Sequence, residues 1–139
     1  MQALGLVIAH NSGKEENLLT ARTYSNIFRT LYNASYLTRD FSNDILSTLT
    51  QTTFKDGAIA KLPPSVLVAH KFAERTVIDP ISGKPVKSQL HECGIVYAKE
   101  GKDSYLFCIL TEGSRYEDLE KIVAELSLVT YDTMINDDN

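Results

Sequence analysis

Three apolar segments in the second half of the chain most constrain its fold. They span residues 66–72, 91–98 and 105–111 and are rich in Val, Ile, Leu, Tyr, Phe and Cys, and β-branched and aromatic residues of this kind are typical of strands. Turn-forming residues separate them, with Pro and Gly at 79–85 and Gly at 99–103. Short connections of this kind join antiparallel strands. The sequence therefore predicts a three-stranded antiparallel sheet.

Helical patterns flank the predicted sheet. Apolar residues spaced three and four apart predict one helix from a Thr20 cap to about residue 33 and another from a Thr38 cap to about residue 50. A third helix is expected to end near residue 131. The buried positions expected in the second and third helices are Phe41, Ile45, Leu46, Leu49, Leu119, Ile122, Val123 and Leu126. The fold class is therefore α+β, with the order α-α-β-β-β-α.

Length and charge exclude several classes of function. At 139 residues the chain has room for a single core, and its net charge of −4 comes without a basic stripe, so a nucleic-acid partner is not expected. No apolar run approaches the roughly 18 residues of a membrane-spanning helix, and the start lacks the basic region of a signal peptide. The expected organisation is a segment and loop at 1–17, an ordered region at 18–134 and a disordered tail at 135–139.

The cysteines and histidines in the predicted strands leave alternatives open. Cys93 and Cys108 are interpreted as free, buried thiols, because cysteine packs well as a small apolar residue. His70 and His91 could together bind a metal, but two ligands do not make a zinc site. The favoured interpretation gives each histidine a structural hydrogen bond near a strand end. No metal and no cofactor are therefore expected.

The first strand ends in the triplet Lys71-Phe72-Ala73. Its place resembles that of the third motif of the penicillin-recognising serine hydrolases, the class A β-lactamases and their relatives, which is lysine, then serine or threonine, then glycine. The resemblance extends over about residues 18–131 and corresponds to the C-terminal half of that family. It implies a partial β-lactamase/transpeptidase-like fold, in which three strands are packed with helices.

The resemblance implies roles for two residues of this region. In the family, the motif lysine lies at the floor of the active site, so Lys71 is expected to hold an anionic substrate group and to take part in the proton network. Glu74 occupies the position whose backbone N–H lines the oxyanion hole, a role that any residue with a main-chain donor can fill.

Substrate binding is assigned by the same resemblance to Phe72, Ala73, Arg75 and His91. Phe72 stands where the family has a hydroxyl group that binds the substrate carboxylate, and it cannot donate a hydrogen bond. Ala73 adds a methyl group where the family has glycine. Arg75 is the candidate to replace the missing hydroxyl, and His91 is expected, with its neighbour Glu92, to line the groove.

Two other motifs of the family are absent from these 139 residues. No serine is followed three residues later by lysine, as in the nucleophile motif, and none is followed two residues later by asparagine, as in the second motif. Glu15 or Glu16 could take the place of the glutamate that activates water in class A enzymes, but no surrounding signature supports either. The apolar opening at Met1 suggests truncation. The chain is therefore interpreted as a truncated or degenerate serine hydrolase, inactive unless a missing segment or another chain supplies the nucleophile.

Two other interpretations compete with a hydrolase fragment. One is a non-catalytic module that uses the β-lactamase-like fold to bind a cell-wall peptide, a β-lactam or another anionic ligand. The other is an unrelated α+β interaction domain. Self-association is expected through the open sheet edge from Tyr105 to Thr111, which is apolar and nearly uncharged. Family members are usually periplasmic or on the cell surface, but the chain carries no signal peptide of its own.

Overall fold

A computed structural model describes residues 9–10, 17–99 and 103–136. Its elements in chain order are β1 (Ala9–His10), β2 (Asn17–Leu18), α1 (Ala21–Tyr32), α2 (Arg39–Thr50), β3 (Leu67–Ile78), β4 (Pro85–Ala98), β5 (Asp103–Gly113) and α3 (Tyr116–Asn136). The predicted α-α-β-β-β-α order is confirmed. A short antiparallel pair, β1 with β2, precedes it in a region expected to be loop. Glu15 and Glu16 lie outside the described residues.

The main sheet has the strand order β3-β4-β5, with both pairs antiparallel. Its strands are longer than the sequence predicted, because β3 continues beyond Phe72 to Ile78 and β4 begins at Pro85. Lys71 lies opposite Cys93, and that register holds as far as a bulge at Val77 and Ile78. The extension gives β3 a second half that projects beyond the helices.

The turn between β3 and β4 is built on Asp79. Its carboxylate accepts hydrogen bonds from the backbone N–H groups of Ile81, at 3.0 Å, and Ser82, at 2.6 Å. These bonds lower the pKa of Asp79. Gly83 follows with φ +67°, a left-handed conformation that glycine adopts without steric cost. The turn predicted at residues 79–85 is therefore present, with a defined hydrogen-bonded geometry.

α1 and α2 cover one face of the sheet. Their predicted caps are confirmed: the Thr20 side chain accepts from the N–H of Thr23, and the Thr38 side chain from that of Phe41. The buried residues between these helices and the sheet are Phe28, Leu46, Ala69, Cys93 and Ile95. This layer ends near Lys71, where the hydroxyl of Tyr24 reaches β3.

α3 and the irregular residues 52–64 cover the opposite face. The buried residues of this larger core are Ala58, Leu62, Val68, Leu90, Val96, Phe107, Leu119 and Val123. Both faces of the first half of β3 are thus covered. Two apolar layers around one sheet bury the strands as the core of a small domain requires.

Some helix positions expected to be buried are exposed. Phe41 and Ile45 of α2, and Ile122 and Leu126 of α3, are exposed, whereas Ser42 and Ala124 are buried. Leu46, Leu119 and Val123 are buried as expected, so each helix presents only part of its predicted apolar face to the sheet. α3 also continues beyond the expected end near residue 131. No helix in the described ranges is long and apolar enough to cross a membrane.

The interpretation of Cys93 and Cys108 as free thiols is wrong, because they form a disulfide. The two residues are direct partners in the β4–β5 register, with Cα atoms 4.0 Å apart. The sequence interpretation treated each cysteine as an independent core residue. The bridge instead joins the central strand to β5, on the face covered by α1 and α2.

Removing the disulfide is expected to destabilise the domain. A loop closed over a sequence separation of 15 corresponds to about 3 kcal/mol of lost chain entropy in the unfolded state. Chemical denaturation should therefore show the double variant Cys93→Ala, Cys108→Ala less stable by about that amount. Dithiothreitol should lower the stability of the native chain and leave the double variant unchanged. Equal stabilities would show that the bridge does not stabilise the fold.

Candidate functional site

Lys71 lies on the face of β3 that α1 and α2 cover, at the last position along the strand that these helices reach. Its side chain is exposed and turns over the edge of the strand, where its ammonium contacts the carbonyl oxygen of Phe72. The Lys71 carbonyl accepts a hydrogen bond from the Tyr24 hydroxyl at 3.2 Å. Burial raises the pKa of Tyr24, and the negative charge of Glu92 raises it further. The hydroxyl of Tyr24 therefore stays protonated and can donate. α1 thereby holds the backbone at Lys71.

Phe72 projects to the opposite face from Lys71. Its ring stacks on Phe54, with centroids 4.1 Å apart and planes inclined by 18°, and it packs against the core beneath α3. The Lys71 ammonium lies 5.0 Å from the centroid of the Phe72 ring, on the exposed edge of β3. A hydroxyl residue at this position would lose the ring stacking that joins β3 to residues 52–64.

The backbone N–H of Glu74 projects to the side of β3 away from β4. Backbone groups of an antiparallel strand alternate between its two neighbours. The carbonyl oxygen of His70 accepts a hydrogen bond from the Thr52 hydroxyl at 2.9 Å, and that of Phe72 contacts the Lys71 ammonium. The backbone N–H and C=O groups of the even-numbered residues therefore point to the outer edge of β3. The unbroken register places Glu74 in the same set. A donor on this edge is accessible to a ligand beside β3.

A cavity of about 790 Å³ lies along the second half of β3, beyond α1. It is lined by Leu19, Ala73, Glu74, Arg75, Val77, Val86, Lys87, Gln89, His91 and Glu112. Four of the residues predicted from the sequence therefore come together, namely Ala73, Glu74, Arg75 and His91. Lys71 and Phe72 are not part of its lining.

Polar side chains of both charges line this cavity, and one of its two carboxylates, that of Glu112, is held in place by hydrogen bonds. Lys87 forms an ion pair with Glu112 at 2.8 Å, and the Gln89 amide donates to the same carboxylate at 2.8 Å. These two hydrogen bonds lower the pKa of Glu112, and the bond from Lys87 has the larger effect. The Nδ1 atom of His91 is buried without a hydrogen-bond partner among the described residues. The cavity thus places the basic side chains of Arg75 and Lys87 beside the carboxylates of Glu74 and Glu112.

The sequence interpretation placed Glu92 beside the groove, but its carboxylate is buried on the other face of the sheet. Glu92 is 0% exposed; its Oε1 lies 2.5 Å from Nδ1 of His70, and its Oε2 accepts from the backbone N–H of Ala58 at 2.9 Å. Gly57 makes this approach possible, because a Cβ there would lie 2.1 Å from Oε2. Glu92 therefore attaches the segment 52–64 directly beneath the strand that carries Lys71.

The favoured structural hydrogen bond is confirmed for His70, which pairs with Glu92. The alternative of a shared metal is excluded, and the expectation that Glu92 lines the groove is wrong. His70 points towards α3 and His91 towards the cavity, so they lie on opposite faces and cannot share a metal. Within the described ranges, no three His, Cys, Asp or Glu side chains are grouped to hold a metal ion. Glu92 is buried and does not line the groove. The alternation of Leu90, Glu92 and Val96 could have indicated that Glu92 falls on an apolar face.

Comparison with known families identifies the lineage. Residues 1–134 match the family described as the β-lactamase enzyme family. The chain belongs to this family. The strand that carries Lys71 and the helices on both faces of the sheet therefore form part of a β-lactamase-family fold.

Solved structures show the same fold at low sequence identity. A class A β-lactamase representative from Bacteroides cellulosilyticus DSM 14838 matches with TM-score 0.75 and 19% identity, over 99% of this chain and 52% of that chain. TLA-1 extended-spectrum β-lactamase matches with TM-score 0.74 and 21% identity, over 97% and 52%. A variant of PBP-A in an acyl-enzyme complex with penicillin G matches with TM-score 0.72 and 14% identity, over 96% and 48%.

The chain thus spans about half the length of the solved structures that it matches. Comparison with curated proteins finds no significant match. The shared half contains the sheet and the helices packed on it.

Breaking the His70–Glu92 pair on one side only is expected to be more damaging than removing both partners. Glu92→Leu or His70→Leu alone leaves a polar group buried without its partner, which costs about 3–5 kcal/mol. In the double variant both polar groups are gone, so its loss should be smaller than the sum of the two single losses. Urea denaturation of the four proteins measures this coupling. Additive losses would show that the two side chains act independently.

Proposed function

We propose that this chain is a truncated or degenerate serine hydrolase of the β-lactamase family that does not form an acyl-enzyme by itself. The observation that carries the proposal is the combination of a β-lactamase-family sheet bearing Lys71 with the absence of a serine-x-x-lysine motif from all 139 residues. Acyl transfer requires a hydroxyl activated by a neighbouring base. Another segment or another chain must supply that group for the site to react.

Lys71 and Glu74 would serve such a reaction from the edge of β3. The Lys71 ammonium is exposed and can approach an anionic group or take part in proton transfer beside the strand. The backbone N–H of Glu74, on the same edge, would donate to the oxyanion that forms when the substrate carbonyl is attacked. The hydrogen bond from Tyr24 and the buried Glu92 hold β3 in place between them.

The cavity beyond Lys71 would bind the substrate or an anionic ligand. Arg75 and His91 line it with Ala73, and its cations suit a β-lactam or a cell-wall peptide carboxylate. Phe72 packs towards the core, so carboxylate recognition would come from Arg75 rather than from the family's hydroxyl position. This arrangement also supports the alternative function, a non-catalytic module that binds an anionic ligand.

The isolated chain is expected to remain unlabelled by a fluorescent penicillin. Denaturing electrophoresis after incubation should show no covalent adduct, because no serine of the 139 residues is followed three positions later by lysine. An active class A β-lactamase in a parallel reaction serves as the positive control. A labelled band from this chain would contradict the proposal.

Calorimetric titration of the same protein with penicillin G distinguishes the two functions. Saturable binding without turnover that is weakened in Arg75→Ala and unchanged in Arg115→Ala would select the binding module. Arg115 is a matched control, because its guanidinium lies at the start of α3, where it pairs with Asp118. Absence of binding would leave the inactive hydrolase fragment as the supported function.

We further propose that the chain self-associates through β5. This strand pairs with β4 on one side only within the described sheet, and between Tyr105 and Thr111 it contains no charged residue. Leu106 is exposed beside this edge. An apolar open edge presents unpaired backbone groups that another strand can pair with.

Light scattering after size exclusion, at low micromolar concentration, is expected to show a dimer or a larger species. Leu106→Lys should shift the native chain towards monomer, because a charge next to the edge opposes strand pairing. Ile81→Lys, a matched change at the tip of the β3–β4 turn, should have no effect. A monomeric native chain would contradict self-association through β5.

A further inference from the structure

The disulfide between Cys93 and Cys108 has one sheltered sulfur and one accessible sulfur. Cys93 is 0% exposed on the central strand and packs in the core beneath α1 and α2. Cys108, on β5, is partly exposed and lines a cavity of about 730 Å³ between α1 and β5. A thiol in solution can therefore reach the sulfur of Cys108, whereas the sheet and the helices shield that of Cys93.

The charged groups that line this cavity are two arginines. Arg22 and Arg29 line it together with the polar side chains of Ser25 and Asn26, and none of the described carboxylates does. The arginines are seven residues apart on α1, so they project from the same side of the helix. α1 itself contains no Asp or Glu. The cavity is thus a locally basic site on a chain whose net charge is −4.

The carboxylates of β5 lie at the two ends of the strand and are paired there. Asp103 forms an ion pair with Lys99 at 3.0 Å, and Glu112 forms one with Lys87 at 2.8 Å. Between these ends, residues 104–111 include no charged side chain. An anion that approaches Cys108 therefore meets the two arginines of α1 without a neighbouring carboxylate of β5.

We propose that the Cys93–Cys108 bridge is an exchangeable disulfide and that Cys108 is a modification site for small anionic thiols of the glutathione class. Exchange proceeds by attack of a thiolate on one sulfur of the bridge. A thiol that also carries carboxylates suits the cavity, because arginine binds a carboxylate through two parallel hydrogen bonds. The cavity also lies within the range of about 300–1,000 Å³ that is typical of small-molecule sites.

The exchange consumes one thiol and produces one thiol. The incoming thiolate forms a bond to the sulfur of Cys108, and the bond between Cys108 and Cys93 breaks with its electron pair going to the sulfur of Cys93. That sulfur takes up a proton equivalent to the one that the incoming thiol lost on ionising. The product has a mixed disulfide at Cys108 and a thiol at Cys93, so no further oxidant or reductant is required.

Mass spectrometry of the native chain treated with reduced glutathione tests the assignment. After acid quenching, peptide mapping should find glutathione attached to Cys108 and a free thiol at Cys93. A small peptide disulfide in the same solution serves as the positive control for exchange. Glutathione attached to Cys93, or a protein bridge that stays intact while the control peptide exchanges, would overturn the proposal.

The double variant Arg22→Gln, Arg29→Gln tests the class of thiol. Its exchange with glutathione should be about tenfold slower than that of the native chain, because clefts of one charge concentrate ligands of the opposite charge. The difference should shrink as salt concentration rises. Cysteamine, a small thiol with a positive charge, should react at least as fast with the double variant as with the native chain.

Arg115→Gln is the matched control for the arginine variant, since Arg115 pairs with Asp118 at the start of α3, away from the cavity. It should leave the rates of both thiols unchanged. Because each thiol is compared between proteins, differences in intrinsic reactivity between glutathione and cysteamine cancel. Equal glutathione rates in the native chain and the double variant would contradict the selection of anionic thiols.

Two single-cysteine variants test accessibility without the bridge. With oxidised glutathione, Cys93→Ala should gain one glutathione at Cys108 and release one reduced glutathione, whereas Cys108→Ala should stay unmodified because Cys93 is buried. Thermal unfolding checks that both variants are folded, and equal modification of two folded variants would overturn the proposal. If either variant fails to fold, the experiment on the native chain decides. The penicillin experiments have no bearing on these outcomes, since the cavity lies beside β5 and not on β3.

Discussion

The buried carboxylate of Glu92 is the contact on which the arrangement around β3 depends. A charge taken out of water costs several kcal/mol unless it is paired and hydrogen bonded. Here His70 satisfies one carboxylate oxygen and the N–H of Ala58 the other. The carboxylate thereby joins β4, β3 and the segment 52–64. Because His70 is next to Lys71 in the chain, this contact also fixes the strand that carries Lys71.

The site results from how the two helical layers end along the sheet. α1 reaches β3 only as far as Lys71, where Tyr24 donates to the backbone, and the strand continues uncovered to Ile78. The uncovered half forms the cavity lined by Arg75 and His91. On the other face the stacking of Phe54 on Phe72 completes the core. One strand thus contributes an exposed lysine on one side and core packing on the other.

The sequence could predict the features that depend on local pattern. Turn residues and apolar runs located the strands, and Thr20 and Thr38 located two helix starts, because caps act on residues three positions away. The exposure of Leu126, the Cys93–Cys108 bridge and the His70–Glu92 pair could not be obtained in this way. Each depends on the register between strands or on the rotation of a helix against the sheet. Ala73, Glu74, Arg75 and His91 were brought together as the resemblance implied, whereas their roles remain proposals.

Amide hydrogen exchange at Ala58, followed by NMR, tests the central contact most directly. If Glu92 holds the segment 52–64 under β3, the Ala58 amide is protected in the native chain and loses that protection in Glu92→Leu, while the amide of Val96 in the sheet centre stays protected. An Ala58 amide that exchanges freely in the native chain, or that is equally protected in both proteins, would contradict this account.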